Sequence, residues 1–283
     1  GDRRERVRNL TRFFGVARLD LVKKTWAAAF RKSERRPASE YALAAWLRAG
    51  QIEAGHVRTA PYSREELLRA IPDLRVLTTG PVEGLGALLS ARLASAGVAL
   101  VFVPQFRGTY AEGAAGFLGD TPVIQLSARG RTDDRLWFSL FHEIGHVLTG
   151  LGRSRRTFID EFDRPGSGSA EEAAADSFAR DTLIPPADYA AFTSGRPVFS
   201  EADIRAFAHR VGVSEGIVVG RLQHDGLLPP THLNRLKKTI SCELLRRQAQ
   251  VQLRHPAAAP APPPADREWG RVRVPCAPRW QEN

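Results

Sequence analysis

Two histidines four residues apart flank a glutamate in the stretch His142-Glu143-Ile144-Gly145-His146. On a helix, residues i and i+4 share a face, so both imidazoles can reach a single metal ion. Glu143, beside them, is placed to take a proton from a water on that metal. The chemistry this set supports is metal-assisted hydrolysis. A catalytic zinc site takes three protein ligands and keeps its fourth position open, so a third ligand is required. Downstream, Glu172 and Asp176 are again i and i+4. Glu172 is the natural third ligand, and Asp176 an acceptor for a histidine N–H. Glu171 points about 100° away by the helical period and is the weaker choice. An ordinary helix with two core or surface histidines is the plain alternative; the second acidic pair favours the metal site.

Two helices must position these groups. The first is expected from about Thr132 to Leu148, a span free of proline. Thr132 or Asp133 offers an N-cap, and Gly150 with Gly152 can close the far end. Trp137, Leu140, Phe141, Ile144 and Leu148 recur at helical spacing, giving the helix a buried back and a ligand-bearing front. The second helix is read over Ser169 to Ala179, where Ala175 and Ala179 lie beside the acids. Small residues there let the two helices approach closely.

These residues resemble the ImmA/IrrE metallo-endopeptidases. The likeness is carried by Trp137-Phe138-Ser139-Leu140-Phe141-His142-Glu143-Ile144-Gly145-His146, by Glu172, Ala175, Asp176, Phe178 and Ala179, and by Leu183-Ile184-Pro185. Asp176 stands where the family more often carries asparagine; both accept a hydrogen bond. Asn9 to Ala17 and Gly216 to Gln223 are similar to the branch fused to HigA-type helix-turn-helix antitoxins. The resemblance implies a zincin-like fold and a cytoplasmic Zn2+-dependent protease. It also implies a protein substrate: a helix-turn-helix repressor or antitoxin in a stress, phage or toxin-antitoxin response. In the fusions a DNA-reading module precedes the Asn9–Ala17 stretch. None is complete here, which leaves any DNA contact to an absent or upstream module. A second reading is a DNA- or toxin-binding antitoxin-like regulator with a structural or vestigial metal site. Glu143 argues against it, since a structural site needs no base.

Composition bounds the rest. The chain has 283 residues, 43% hydrophobic and 25% charged, the profile of a soluble globular protein. Two cysteines, Cys242 and Cys276, form neither a metal motif nor a disulfide framework, which suits a reducing cytoplasm. No apolar run is long enough to span a membrane, and no signal-like stretch follows the charged start. The net charge of +10 favours acidic partners or nucleic acid. Its arginines are scattered along nearly every helix, so a solvated surface accounts for it equally well.

The expected fold class is α+β: a helix-rich metallopeptidase domain with a small sheet, a helical N-terminal segment and a C-terminal helix-turn-helix-like pair. The boundaries are residues 1–75 for the N-terminal helices, 76–195 for the metallopeptidase core, 196–254 for the pair and last helix, and 255–283 for a Pro/Ala-rich, disordered tail. Leu43, Trp46 and Leu47 are core candidates, and Trp26 and Phe30 belong to an earlier helix. Val98 to Val103 reads as a buried strand. Gly113 to Gly119 reads as a turn or bend before a second strand, Pro122 to Ser127. That strand is expected either to border the cleft with a free edge or to lie paired on both sides. Leu151 to Ser169 is expected to be a flexible flap. The front of the helix after Ser214 is bare of base-reading side chains, so this pair should pack on the core rather than read DNA. Leu233 to Leu253 reads as one amphipathic helix with Leu236, Ile240, Leu244 and Leu245 on its apolar side. Tyr110, Tyr189 and Arg221 are candidates for steadying an oxyanion.

Overall fold

The computed structural model describes residues 2–22, 39–149, 158–160 and 170–254. The early helices are α1 (Arg3–Phe14), α2 (Glu40–Ala54), α3 (Arg64–Val76) and α4 (Leu85–Ser95). They lead into strands β1 (Ala99–Phe102), β2 (Gly113–Leu118) and β3 (Thr121–Leu126). Helix α5 (Asp133–Thr149) carries the paired histidines and is followed by β4 (Phe158–Asp160) and α6 (Ala170–Leu183). The described residues end with α7 (Pro186–Thr193), α8 (Glu201–Val211), α9 (Glu215–His224) and α10 (Cys242–Arg254). The fold is α+β and zincin-like, helix-rich around one small sheet.

That sheet has the order β1-β3-β2-β4. β1 runs parallel to β3, while β2 is antiparallel to both β3 and β4. The period-2 alternation of the strands divides the apolar interior in two. Leu100, Phe102, Ala115, Ile124 and Leu126 face the main core, which draws on residues from Leu67 to Ala249. Ala99, Val101, Ala114 and Val123 face a smaller cluster under α1 and α2, with Phe14, Leu43, Trp46 and Leu47. The indole N–H of Trp46 donates to the Val103 carbonyl at 2.9 Å, fixing α2 to the end of β1.

Helix α5 lies against the main-core face of the sheet, touching β2 and β3. Trp137, Leu140, Phe141 and Ile144 are all buried on its back. Burial of side chains this size stabilises by roughly 1.5–3 kcal/mol each, which makes α5 a rigid platform. Its first turn is tied down as well. Asp133 is buried and accepts hydrogen bonds from Ser214 Oγ at 2.7 Å and the Lys238 amide at 2.9 Å. Desolvation raises the Asp133 pKa above its ordinary value despite these donors. Asp134 pairs with Lys237 Nζ at 2.7 Å. The two glycines of α9, Gly216 and Gly220, leave room for these two acids, since a Cβ on either would collide with them. Ile217, Val218, Val219 and Leu222 are buried beside them. The bare front of α9 is therefore a packing surface.

Two expectations change, and for β3 one of two alternatives is selected. Gly113 to Leu118 is not a bend but a strand, which turns into β3 through the tight loop Gly119-Asp120, with Gly119 in the left-handed region at φ 62°. At Gly113 the small residue reflects close approach of Glu143 rather than a turn. β3 is an interior strand paired on both sides, so it has no free edge for a peptide. The stretch from Leu233 is broken: a 3-10 turn at Asn234–Leu236 and a bridge between Thr132 and Thr239 precede α10. Leu236, Ile240 and Leu245 are buried, whereas Leu244 is 40% exposed. The expected flap contains β4 at 158–160, a segment too short to show a period in sequence. The rest of that flap, Trp26, Phe30, Gly150, Gly152 and the tail lie outside the described residues.

Candidate metal centre

Helix α6 packs along α5, and the contact is made by small residues. A Cβ on Gly145 would stand 3.0 Å from Ala175 Cα and 3.3 Å from Ala175 Cβ. Ala175 and Ala179 are wholly buried, so α6 sits directly against the histidine helix. Glu172 lies one turn before Ala175 and faces inward, 7% exposed, while Glu171 faces solvent.

This packing gathers three side chains that offer ligand atoms to one point. His142 Nε2 and His146 Nε2 lie 2.9 Å apart. Glu172 Oε2 is 3.4 Å from the first and 3.5 Å from the second. Atoms this close together could all reach one ion at about 2.0–2.1 Å, the length of zinc–imidazole and zinc–carboxylate bonds. The donor set, two imidazoles and a carboxylate, is also one that zinc accepts. Among the described residues, this is the group of three His, Cys, Asp or Glu that can hold a metal ion.

His142 Nδ1 faces Asp176 Oδ1 at 2.9 Å. A carboxylate at Nδ1 favours the tautomer with its proton there and leaves the Nε2 lone pair toward the triangle. Asp176 itself is 53% exposed on its side chain, so its own charge is partly hydrated. Glu143 is fully buried, as are the rings of both histidines. The carboxyl groups of Glu143 and Glu172, both buried, carry a desolvation cost that a divalent cation would offset.

The candidates for steadying an oxyanion have contacts of their own. Tyr189 is buried in the main core, with the Arg221 guanidinium 4.3 Å over its ring. Arg221 Nε donates to Asp225 Oδ2 at 2.7 Å. Burial, with the Asp225 carboxylate next to it, pushes the Tyr189 phenol further up. The Tyr110 carbonyl accepts from Arg129, whose guanidinium lies 5.2 Å over the Tyr110 ring. These three residues are thus engaged in packing and pairing.

Two residues at the site were not singled out by sequence. Glu112, buried immediately before β2, stands 3.3 Å from Arg135 Nη1 and 4.0 Å from Arg129 Nη1. Through Arg135 it ties the approach to β2 to the first turn of α5, and nothing in its local pattern marks it. Gly113 follows it and abuts Glu143.

No curated protein matches the chain. The family model of the IrrE N-terminal-like domain (Peptidase_M78) matches residues 101–223, which include the paired histidines, Glu143, Glu172 and Asp176. Among the described residues no helix is long and apolar enough to cross a membrane. The segment 101–223, with its buried His/His/Glu group, is thus similar to the metallopeptidase domain of the ImmA/IrrE family.

Proposed function

We propose that the chain is a cytoplasmic zinc-dependent endopeptidase that cuts a helix-turn-helix repressor or antitoxin. The observation that carries this reading is the buried His142–His146–Glu172 triangle with Glu143 next to it, inside a metallopeptidase-family domain. His142 and His146 would hold the ion through Nε2, and Glu172 through a carboxylate oxygen. Zinc bound there supplies a Lewis acid that polarises the scissile carbonyl and makes water acidic enough to act near neutral pH. Glu143 takes the proton from the attacking water on its carboxylate and returns it to the leaving amine. Asp176 orients the His142 ring through Nδ1. The low exposure of all four inner residues keeps competing water away from the proton transfers. The substrate class follows from the likeness to repressor-cleaving relatives, and that to HigA-fused members points to an antitoxin within it.

The purified chain is expected to bind one zinc and to cleave a repressor or antitoxin encoded next to its own gene. A chelator should stop the cleavage and added zinc restore it. Protein that holds zinc tightly yet leaves such substrates intact would favour a regulator with a structural metal.

Asp176→Ala is expected to lower zinc affinity by roughly 10–100-fold, the usual effect of losing the partner of a ligating histidine. Helical content should not change, because the side chain is half in water. Competition against a metallochromic chelator reads the affinity directly; a value equal to wild type would remove Asp176 from this role.

A further inference from the structure

Gly113 occupies a position where glycine is unfavourable on backbone grounds. It is paired on both sides within the sheet, with Leu126 on β3 and Asp160 on β4. A strand interior gains nothing from glycine, which loses more chain entropy on folding than alanine and packs nothing. Its φ is outside the left-handed region, so any L-residue can adopt this backbone. The reason for glycine must be what a side chain would meet. A Cβ built on Gly113 would lie 2.5 Å from Glu143 Oε1, 3.0 Å from Glu143 Cγ and 3.1 Å from Glu143 Cδ.

We propose that Gly113 is a positioning residue whose missing side chain is the seat of the Glu143 carboxylate. This deepens the reading above and rests on it where catalysis is concerned. Glu143 is pressed between the backbone of β2 and its own helix, with no solvent on either side. Strand β2 is in turn fixed to α5 through Glu112 and Arg135. The floor under the carboxylate is therefore rigid, and it sets where the carboxylate oxygens stand relative to His142, His146 and Glu172. A carbon and an oxygen that are not bonded need about 3.4–3.5 Å, so a methyl at Gly113 would displace the carboxylate by about 1 Å. A shift of that size at a reacting group costs about 100-fold in rate.

The test is a stability cycle joined to a kinetic comparison, on the full chain. Gly113→Ala, Glu143→Ala and the double variant are melted in the presence of chelator, so that metal binding does not enter. With Glu143 present, Gly113→Ala should lower the melting temperature. In the Glu143→Ala background the space is free, and the entropic gain of replacing a strand glycine should raise it. Equal shifts in the two backgrounds would overturn the proposal. Should Gly113→Ala fail to fold, recovery of folding in the double variant supports the seat, and failure of both variants overturns it. In the kinetic arm, folded Gly113→Ala loaded with zinc should lose about 100-fold in kcat with zinc affinity unchanged. Loss of zinc affinity in parallel would mean a disturbed site as a whole, and would overturn the proposal. If Glu143→Gln cleaves normally, the reading of Glu143 as the base fails, while the melting cycle still decides whether Gly113 seats its side chain.

Discussion

Glu143→Gln is expected to reduce peptide cleavage by about 10²–10⁴-fold, the usual contribution of a positioned general base. Zinc binding should stay within a few-fold of wild type. The two halves of this expectation have separate structural grounds. Glutamine matches glutamate in size, so it fits the same space against Gly113 and leaves the two helices undisturbed. The ligand triangle is built from His142, His146 and Glu172, and none of its three short distances involves Glu143. What the amide lacks is a basic oxygen, and a buried neutral side chain cannot hold the proton between attack and departure of the amine. Quantitative metal analysis alongside a cleavage assay separates the two effects. Full cleavage by the variant would remove Glu143 from the chemistry. Loss of zinc together with cleavage would make it part of the metal's support instead.

Much of this site was legible because helices impose a period. The i, i+4 spacing of His142 and His146 places their rings on one face, and the same rule separates Glu172, turned inward, from Glu171, turned to water. The apolar positions of α5 follow in the same way, since Trp137, Leu140, Phe141 and Ile144 share its back. The sheet was less legible. Gly113-Ala114-Ala115-Gly116 lacks the β-branched and aromatic residues that mark strands, so its pairing with β3 and β4 has no local signal. Small residues serve both turns and close approach, and only the tertiary contact with Glu143 distinguishes them. Whether β3 was an edge depended on β1 and β2 pairing on opposite sides of it, a long-range choice that no local pattern encodes. In the last helix the apolar side differs from the expected one by a single position: Leu245 and Ala249 face the core and Leu244 does not. The helix begins at Cys242, after a bridge to Thr132 has fixed the chain direction, and that bridge is invisible in sequence.

Ala175→Leu should abolish high-affinity zinc binding, beyond the roughly 10–100-fold effect expected at Asp176. Alanine offers neither a ligand atom nor a base, so the effect would act through helix packing. Ala175 Cα lies 3.0 Å from the place of a Cβ on Gly145, leaving no volume between α5 and α6 for a larger side chain. Forcing extra methyl and methylene groups into such a contact costs about 1–3 kcal/mol if the backbones hold still. Helix α5 is held by the main core and by the pairs at Asp133 and Asp134, whereas α6 is the partner able to give way. As α6 moves outward it carries Glu172, one turn away, from its 3.4–3.5 Å distances to the two histidines. A site reduced to two imidazoles has lost a ligand, not merely an orienting group. Ala173→Leu is the matched control, because Ala173 is exposed on the same helix. The control should bind zinc as wild type does, and Ala175→Leu should keep its helical circular dichroism while failing to bind. Wild-type affinity in Ala175→Leu, or equal losses in both variants, would show that the close helix contact does not set the geometry of the metal site.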